Sequence, residues 1–349
     1  SADTINTFLS CSNAEQNDQH FKWQATLEQA SAATERDGED YVGFTALRGF
    51  EWTNDFYNHM NVYGSTNIIN AKNDGSYASM NFMWDWLRTP VNEGGGADAL
   101  VAFNHPGGNP SLTPFDSGHD ILNTAGSANW NDLAYIPDVD DNVVAMEVRG
   151  GDDIEFYVKA LTKGWHIGPV DAEDEHQREW ANTSDGKTLI LTRGRKPQDY
   201  YAALKARRTV AVNHRAVTGS PGTPAVTPTL GYWANGDTLA TAKPLGSIIT
   251  ELPSPMPQHR LHIHASDLPA GAVFVLVSNT RGGQADPITL GEATHSGTFD
   301  AHRDVGHPAS GQDWYFVVAC PATESACGKN GNHLLVSAPI WFGVSDTTA

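Results

Sequence analysis

At 349 residues and 37.7 kDa the chain exceeds the usual span of one domain, so two domains with a substantial core are expected. Its 22 Lys and Arg against 41 Asp and Glu give a formal charge of −19, which repels nucleic-acid backbones and anionic membranes over most of the surface. No run of eighteen apolar residues occurs, so no segment is expected to span a bilayer.

Residues 1 to about 20 are polar and irregular. Phe21 to Glu35 then places Phe21, Trp23, Leu27 and Ala30 at helical spacing, which predicts an amphipathic helix packed on a core. Tyr41 to Trp52 is short, apolar and aromatic, and predicts a buried strand with Glu51 near its end. His59 to Gly64 predicts a second strand and Tyr77 to Leu87 a helix, broken by Gly94, Gly95 and Gly96. Ala99 to Asn104 predicts another buried strand, stopped after His105 by Pro106 and the glycines that follow. The Gly, Asn and Pro-rich stretch from Asn109 to Asp140 reads as a long surface loop, a candidate lid. Asn142 to Val148, carrying Glu147, and Lys187 to Thr192 predict strands, while Ile154 to Thr162 and Pro197 to Arg208 predict helices. Strands alternating with helices imply a mainly parallel sheet or barrel with its site at the C-terminal strand ends.

After Asn213 the composition changes, and residues 216–230 read as a linker rich in Pro, Gly and Thr. Arg260 to Ala265, Ala272 to Ser278, Trp314 to Ala319 and His333 to Phe342 alternate like β structure, so residues 231–349 are expected to form a β-sandwich. His262 and His264 share one face of such a strand, where an exposed polar face is the expectation ahead of a metal pair. Cys320 and Cys327 bracket a short loop and are expected to be bridged in an oxidising compartment, with Cys11 left over. Few Lys, many Asn, Gly, Thr and Trp, and an acidic pI suit a secreted protein, extracellular or periplasmic.

The stretch Gly168 to Trp180 holds Asp171, Glu173, Asp174, Glu175, His176 and Glu179. On an extended segment Asp174 and His176, two apart, point the same way and can share a cation; a solvated acidic loop is the plainer alternative. Collected from predicted strand ends, Glu51, His59, His105, Asp174 and His176 form a His and carboxylate set that suits Zn, Mn or Fe rather than Ca. Two ions in such a pocket would polarise a phosphoryl or carbonyl oxygen and supply a bound hydroxide near neutral pH.

In this order the residues resemble the polymerase-and-histidinol-phosphatase (PHP) metallohydrolases, most closely a secreted, carbaryl-hydrolase-like branch. The matching stretches are Gly49-Phe50-Glu51-Trp52, His59 to Tyr63, Asn104-His105-Pro106-Gly107, Met146-Glu147-Val148, Gly168-Pro169 followed by Asp174-Glu175-His176, Ala206 to Val212, and Ser337 to Trp341. The resemblance implies a distorted seven-stranded β/α barrel over residues 1–215 with two or three metal ions. It also implies Glu51 as a bridging carboxylate and His59, His105, Asp174 and His176 as ligands. Glu147 matches a strand carboxylate outside the ligand set, and His166 and Arg208 rank below the ligands as substrate contacts. Asp171, Glu173, Glu175 and Glu179 are expected to surround the ligands without binding metal. The family's opening His-x-His and the Asp-His ending of its next strand do not occur upstream of Glu51, where His20 is the one histidine, so the barrel is expected to lack its first two strands. The function expected is metal-dependent hydrolysis of phosphoester or related ester and carbamate bonds by a metal-bound hydroxide, acting on a small-molecule or phosphoester substrate. The rival is a non-catalytic extracellular binding or assembly protein on the same scaffold.

Overall fold

The computed structural model describes residues 13–73, 76–106, 129–150, 153–172, 174–176, 186–213, 228–237, 241–252, 258–279, 287–329 and 331–343. The chain forms two compact units, Ser1–Val144 with Thr192–Lys205, and Ala145–Leu191 with Ala206–Ala349. The linker expected at 216–230 falls largely on residues 216–227, and the lid largely on 109–128; both stretches lie outside the described residues.

The first unit opens with helix α1 (Asn13–Ala33). It reaches further toward the N-terminus than its apolar spacing suggests, and it is not the amphipathic helix expected: Trp23 is buried, whereas Phe21 and Leu27 are exposed. Trp23 anchors this face. The Trp23 indole donates to Thr66 O at 2.9 Å, meets Phe50 edge-on at 5.3 Å and lies under the Arg48 guanidinium at 4.2 Å.

Strands β1 (Gly49–Trp52), β2 (Met60–Tyr63) and β3 (Leu100–Phe103) pair antiparallel, with Phe50 opposite Val62 and Val62 opposite Val101. The parallel arrangement expected here is not found, because too few residues join β1 to β2 to carry the chain back for a parallel crossover. Helix α2 (Met80–Arg88) is capped by Ser79, whose hydroxyl accepts from Phe82 N at 3.3 Å, and buries Met80, Phe82, Met83, Trp84, Trp86 and Leu87. The glycines after it are close-approach positions: a Cβ on Gly95 would sit 2.0 Å from Thr89 O, and one on Gly96 2.4 Å from the Trp86 ring.

Strand β4 (Val143–Glu147) carries the chain into the second unit. There helix α3 (Asp153–Lys163) crosses over to β5 (Gly168–Val170), which runs parallel to β4 with Ala145 opposite Gly168. Strands β6 (Gly186–Ile190) and β7 (Thr209–Asn213) flank helix α4 (Pro197–Lys205), which returns to the first unit. The longer strands that remain are β8 (Thr229–Ala234), β9 (His259–Ser266), β10 (Val273–Ser278), β11 (Ile288–Glu292), β12 (Phe299–Val305), β13 (Gln312–Cys320), β14 (Leu335–Ser337) and β15 (Ile340–Gly343). One sheet runs β6-β7-β14-β13-β10-β11, with β15 also on β13; β8, β9 and β12 form another. The two sheets share one core, to which Tyr232, Leu261, Ile263 and Phe299 contribute from the smaller and Val212, Phe274, Leu276, Val317 and Phe342 from the larger.

A boundary near 215 would cut through this larger sheet, since Val210 pairs with Ser337 and Val212 with Leu335. Strand β7, within the expected hydrolase domain, is thus laddered to β14. His333 to Phe342 is two strands rather than one, because Pro339 has no N–H to donate to a ladder. Among the described residues these strands make open sheets, without the seven-stranded barrel expected. Cys320 and Cys327 are disulfide-bonded, with their Cα atoms 5.8 Å apart.

Candidate metal centre

Antiparallel order gathers the candidate ligands of the first unit. The end of β1 lies beside the start of β2 and the end of β3, and these are the positions of Glu51, His59 and His105. The turn between β1 and β2 is shaped by two asparagines. Asn54 accepts from the N–H groups of Phe56 and Tyr57 at 3.1 and 2.9 Å, and its amide donates to Ala78 O at 2.8 Å. Asn58 takes φ +76°, accepts from His59 N at 2.8 Å and donates to His105 O at 3.1 Å. His105 sits at φ +47°, a conformation rare for a non-glycine residue, held from Asn58 on one side and by Asn104 N donating to His59 O at 3.1 Å on the other. The Trp130 indole closes the frame by donating to His59 O at 3.2 Å.

Glu51, His59 and His105 each present a ligand atom within 4.8 Å of the others, and all three are half-buried. Glu51 Oε1 is the hub: His59 Nδ1 lies 3.2 Å from it, His105 Nε2 3.3 Å, and the Asn104 amide donates to it at 3.3 Å. Thr53 Oγ1 donates to Oε2 at 2.9 Å. Hydrogen bonds from His105, then from His59, hold the Glu51 carboxyl far below the ordinary carboxylate range despite its partial burial. The hydrogen bond to Glu51 correspondingly raises His59, against the opposing effect of burial. The His59 ring also faces Asp55 Oδ1 at 3.4 Å, and Asp55 takes a short hydrogen bond from Tyr77 Oη.

Positive charge is therefore what this carboxylate is built to meet. Ring N–H groups of two imidazoles can meet it by hydrogen bonding; a cation coordinated by the same three atoms would meet it instead. Two imidazoles and a carboxylate are a donor set suited to a divalent transition ion, and three protein ligands leave room for further ones. Asn104 Oδ1, buried and without a hydrogen-bond partner among the described residues, lies in the residue that abuts this hub. Asp55 and Tyr77 are not among the expected site residues, and Asn104 stands in the matching Asn104-His105-Pro106-Gly107 stretch without an expected role. Asp55 carries a signal, four residues after Glu51 and four before His59 beside a turn-forming asparagine, whereas Tyr77 arrives only through the fold.

The other candidates belong to the second unit. Asp174 takes φ +53°, so the segment is not the extended one expected, yet His176 Nε2 lies 3.8 Å from Asp174 Oδ1; both side chains are exposed, His176 at 75%. Glu173 and Glu179 lie outside the described residues. His166 is 3% exposed, with Nε2 2.7 Å from Gln312 Oε1 and its ring edge-on to Trp341 at 5.2 Å. Arg208 is half-buried at the entry to β7, where its carbonyl accepts from Leu191 N at 2.9 Å. Glu147 is buried and receives Arg149, whose Nε and Nη2 both lie 2.7 Å from Oε1. Asp171, also buried, has its carboxyl pushed up to about 7, first by burial and then by the Glu147 charge, with Arg149 partly offsetting them.

No family model, curated protein or solved structure matches the chain.

Proposed function

We propose that this protein is a metal-dependent hydrolase of phosphoester or related ester and carbamate bonds, with Glu51, His59 and His105 holding a divalent transition ion. The observation that carries the reading is the convergence of these three ligand atoms within 4.8 Å around one carboxylate oxygen. The ordered match to PHP motifs supports the reaction class. The bridged Cys320 and Cys327 support an oxidising compartment, and hence a secreted protein.

A divalent ion, when bound, polarises an ester oxygen and acidifies a water molecule. The chain's own residues set the rest. Glu51 supplies the negative charge that selects a cation over an anion. His59 and His105 would each offer one ring nitrogen beside the Glu51 oxygen. Asn104 and Thr53 keep the carboxylate oriented through hydrogen bonds at 3.3 and 2.9 Å. Because the surface as a whole is strongly acidic, an anionic substrate gains attraction only from such a local positive centre.

The test is metal analysis of the purified full-length protein, followed by turnover of chromogenic phosphomonoesters, phosphodiesters and carboxylesters before and after chelation. Bound metal with chelator-sensitive turnover is expected. Metal-free protein that neither takes up Zn, Mn or Fe nor turns over any of the three substrates after incubation with them would overturn the proposal.

A further inference from the structure

The outward face of the β8-β9-β12 sheet carries histidines that the proposed hydrolytic centre does not use. Alternation along β9 buries Leu261, Ile263 and Ala265 and turns Arg260, His262 and His264 outward. Each outward residue has a cross-strand partner on β12: Arg260 opposes Asp304, His262 opposes His302, and His264 opposes Asp300. The two flanking rows are polar pairs, an ion pair from Arg260 Nε to Asp304 Oδ1 at 2.7 Å and a hydrogen bond between His264 Nδ1 and Asp300 Oδ1 at 2.6 Å. The central row is not a charge pair. It places one imidazole directly opposite another, and on the far side of His262 stands Trp233 of β8, its ring stacked on the imidazole at 5.2 Å and 6°.

We propose that His262 and His302 form a cross-strand bis-imidazole site for a borderline divalent cation such as Cu2+ or Zn2+. Directly opposed residues of an antiparallel pair hold their Cβ atoms about 4.5–5.5 Å apart, close enough for two imidazoles to reach one ion at about 2 Å each. The pair bridges two strands of a hydrogen-bonded sheet, so its spacing is held by the ladder rather than by a loop. Trp233 restricts the His262 ring from one side. Arg260 is paired with Asp304, and Asp237 lies close enough to act on His262. His262 is also held below its usual range, by burial first and then by Arg260 and His302, with Asp237 and Asp304 opposing, and so its nitrogen is available near neutral pH.

The site is independent of the hydrolase reading, and the experiment separates the two. Cu2+ is titrated into the full chain near neutral pH, with binding equivalents read by calorimetry and quenching read by tryptophan fluorescence. Wild type is compared with His262→Ala, His302→Ala, Trp233→Phe and Glu51→Gln. His262→Ala and His302→Ala are each expected to lose the same binding equivalent and its quenching step. Trp233→Phe is expected to lose most of that quenching while keeping the equivalent, and Glu51→Gln to retain both. Equal Cu2+ equivalents in wild type and in the His262 and His302 variants, with circular dichroism showing all of them folded, would overturn the proposal.

Discussion

Two carboxylates at strand ends, Glu51 in the first unit and Asp171 in the second, sit in opposite electrostatic states. Glu51 lies near the end of β1 with two imidazoles, an amide and a hydroxyl aimed at it, and stays ionised well below the usual range. Asp171 follows β5 in a buried site beside the Glu147 charge, and its carboxyl is pushed up to about 7. Glu147 itself has claimed Arg149 at 2.7 Å, so that cation is already committed. The difference is not burial alone, since Glu51 is also half-buried. It is whether the surrounding donors offset desolvation, and donors are what make a carboxylate ready for a cation.

The largest expected effect comes from removing the charge at Glu51. Glu51→Gln keeps the shape and one acceptor but loses the anion; if a bound ion supplies several kcal/mol to the reaction, turnover should fall about 1,000-fold or more, together with metal content. Unchanged turnover would show that the two carboxylates differ in environment and not in function.

Asp171 offers the converse. Its folded-state pKa, about 7, lies above the ordinary value of 3.8, so its contribution to stability is fully present below about pH 4 and is lost as pH rises through 7. Asp171→Asn removes that dependence, and thermal melts should show the variant gaining on wild type between pH 5 and 8, by on the order of 1–4 kcal/mol at the alkaline end. Parallel melting curves for the two proteins across that range would dissolve the contrast.

The smallest effect is expected at Thr53. Thr53→Ala removes the hydroxyl that donates to Glu51 Oε2, a bond on the exposed side of the cluster worth roughly 0.5–1 kcal/mol, so turnover should drop about two- to fivefold. Metal content should stay unchanged, which distinguishes orientation of the carboxylate from ligation.

Much of the local structure was legible. Short apolar runs ended by polar residues marked β2, β3 and β4, and helical spacing marked α2 and α3 to within a few residues, whereas the buried strand expected over Tyr41 to Trp52 narrows to β1 at Gly49–Trp52, with Val42 and Phe44 exposed. Glu51, His59 and His105 stood out because a carboxylate or imidazole at the edge of an apolar strand has to find a partner. Less legible was Thr209–Asn213, which matched a family motif but was not read as a strand, and which Arg207 at φ +56° separates from the helix before it. The exposure of Phe21 and Leu27 was also hidden, because periodicity records which side chains share a helix face and not whether anything covers that face.

By itself the sequence determined the apolar alternation, the turn asparagines and glycines, the cysteine pair and the residue types able to hold a cation. Only the tertiary structure decided strand direction, the laddering of β7 to β14 and the single carboxylate oxygen on which His59 and His105 converge. Those depend on which segments find each other across dozens of residues, a choice made by the shared core and by closing backbone hydrogen bonds, neither of which is written at any one position.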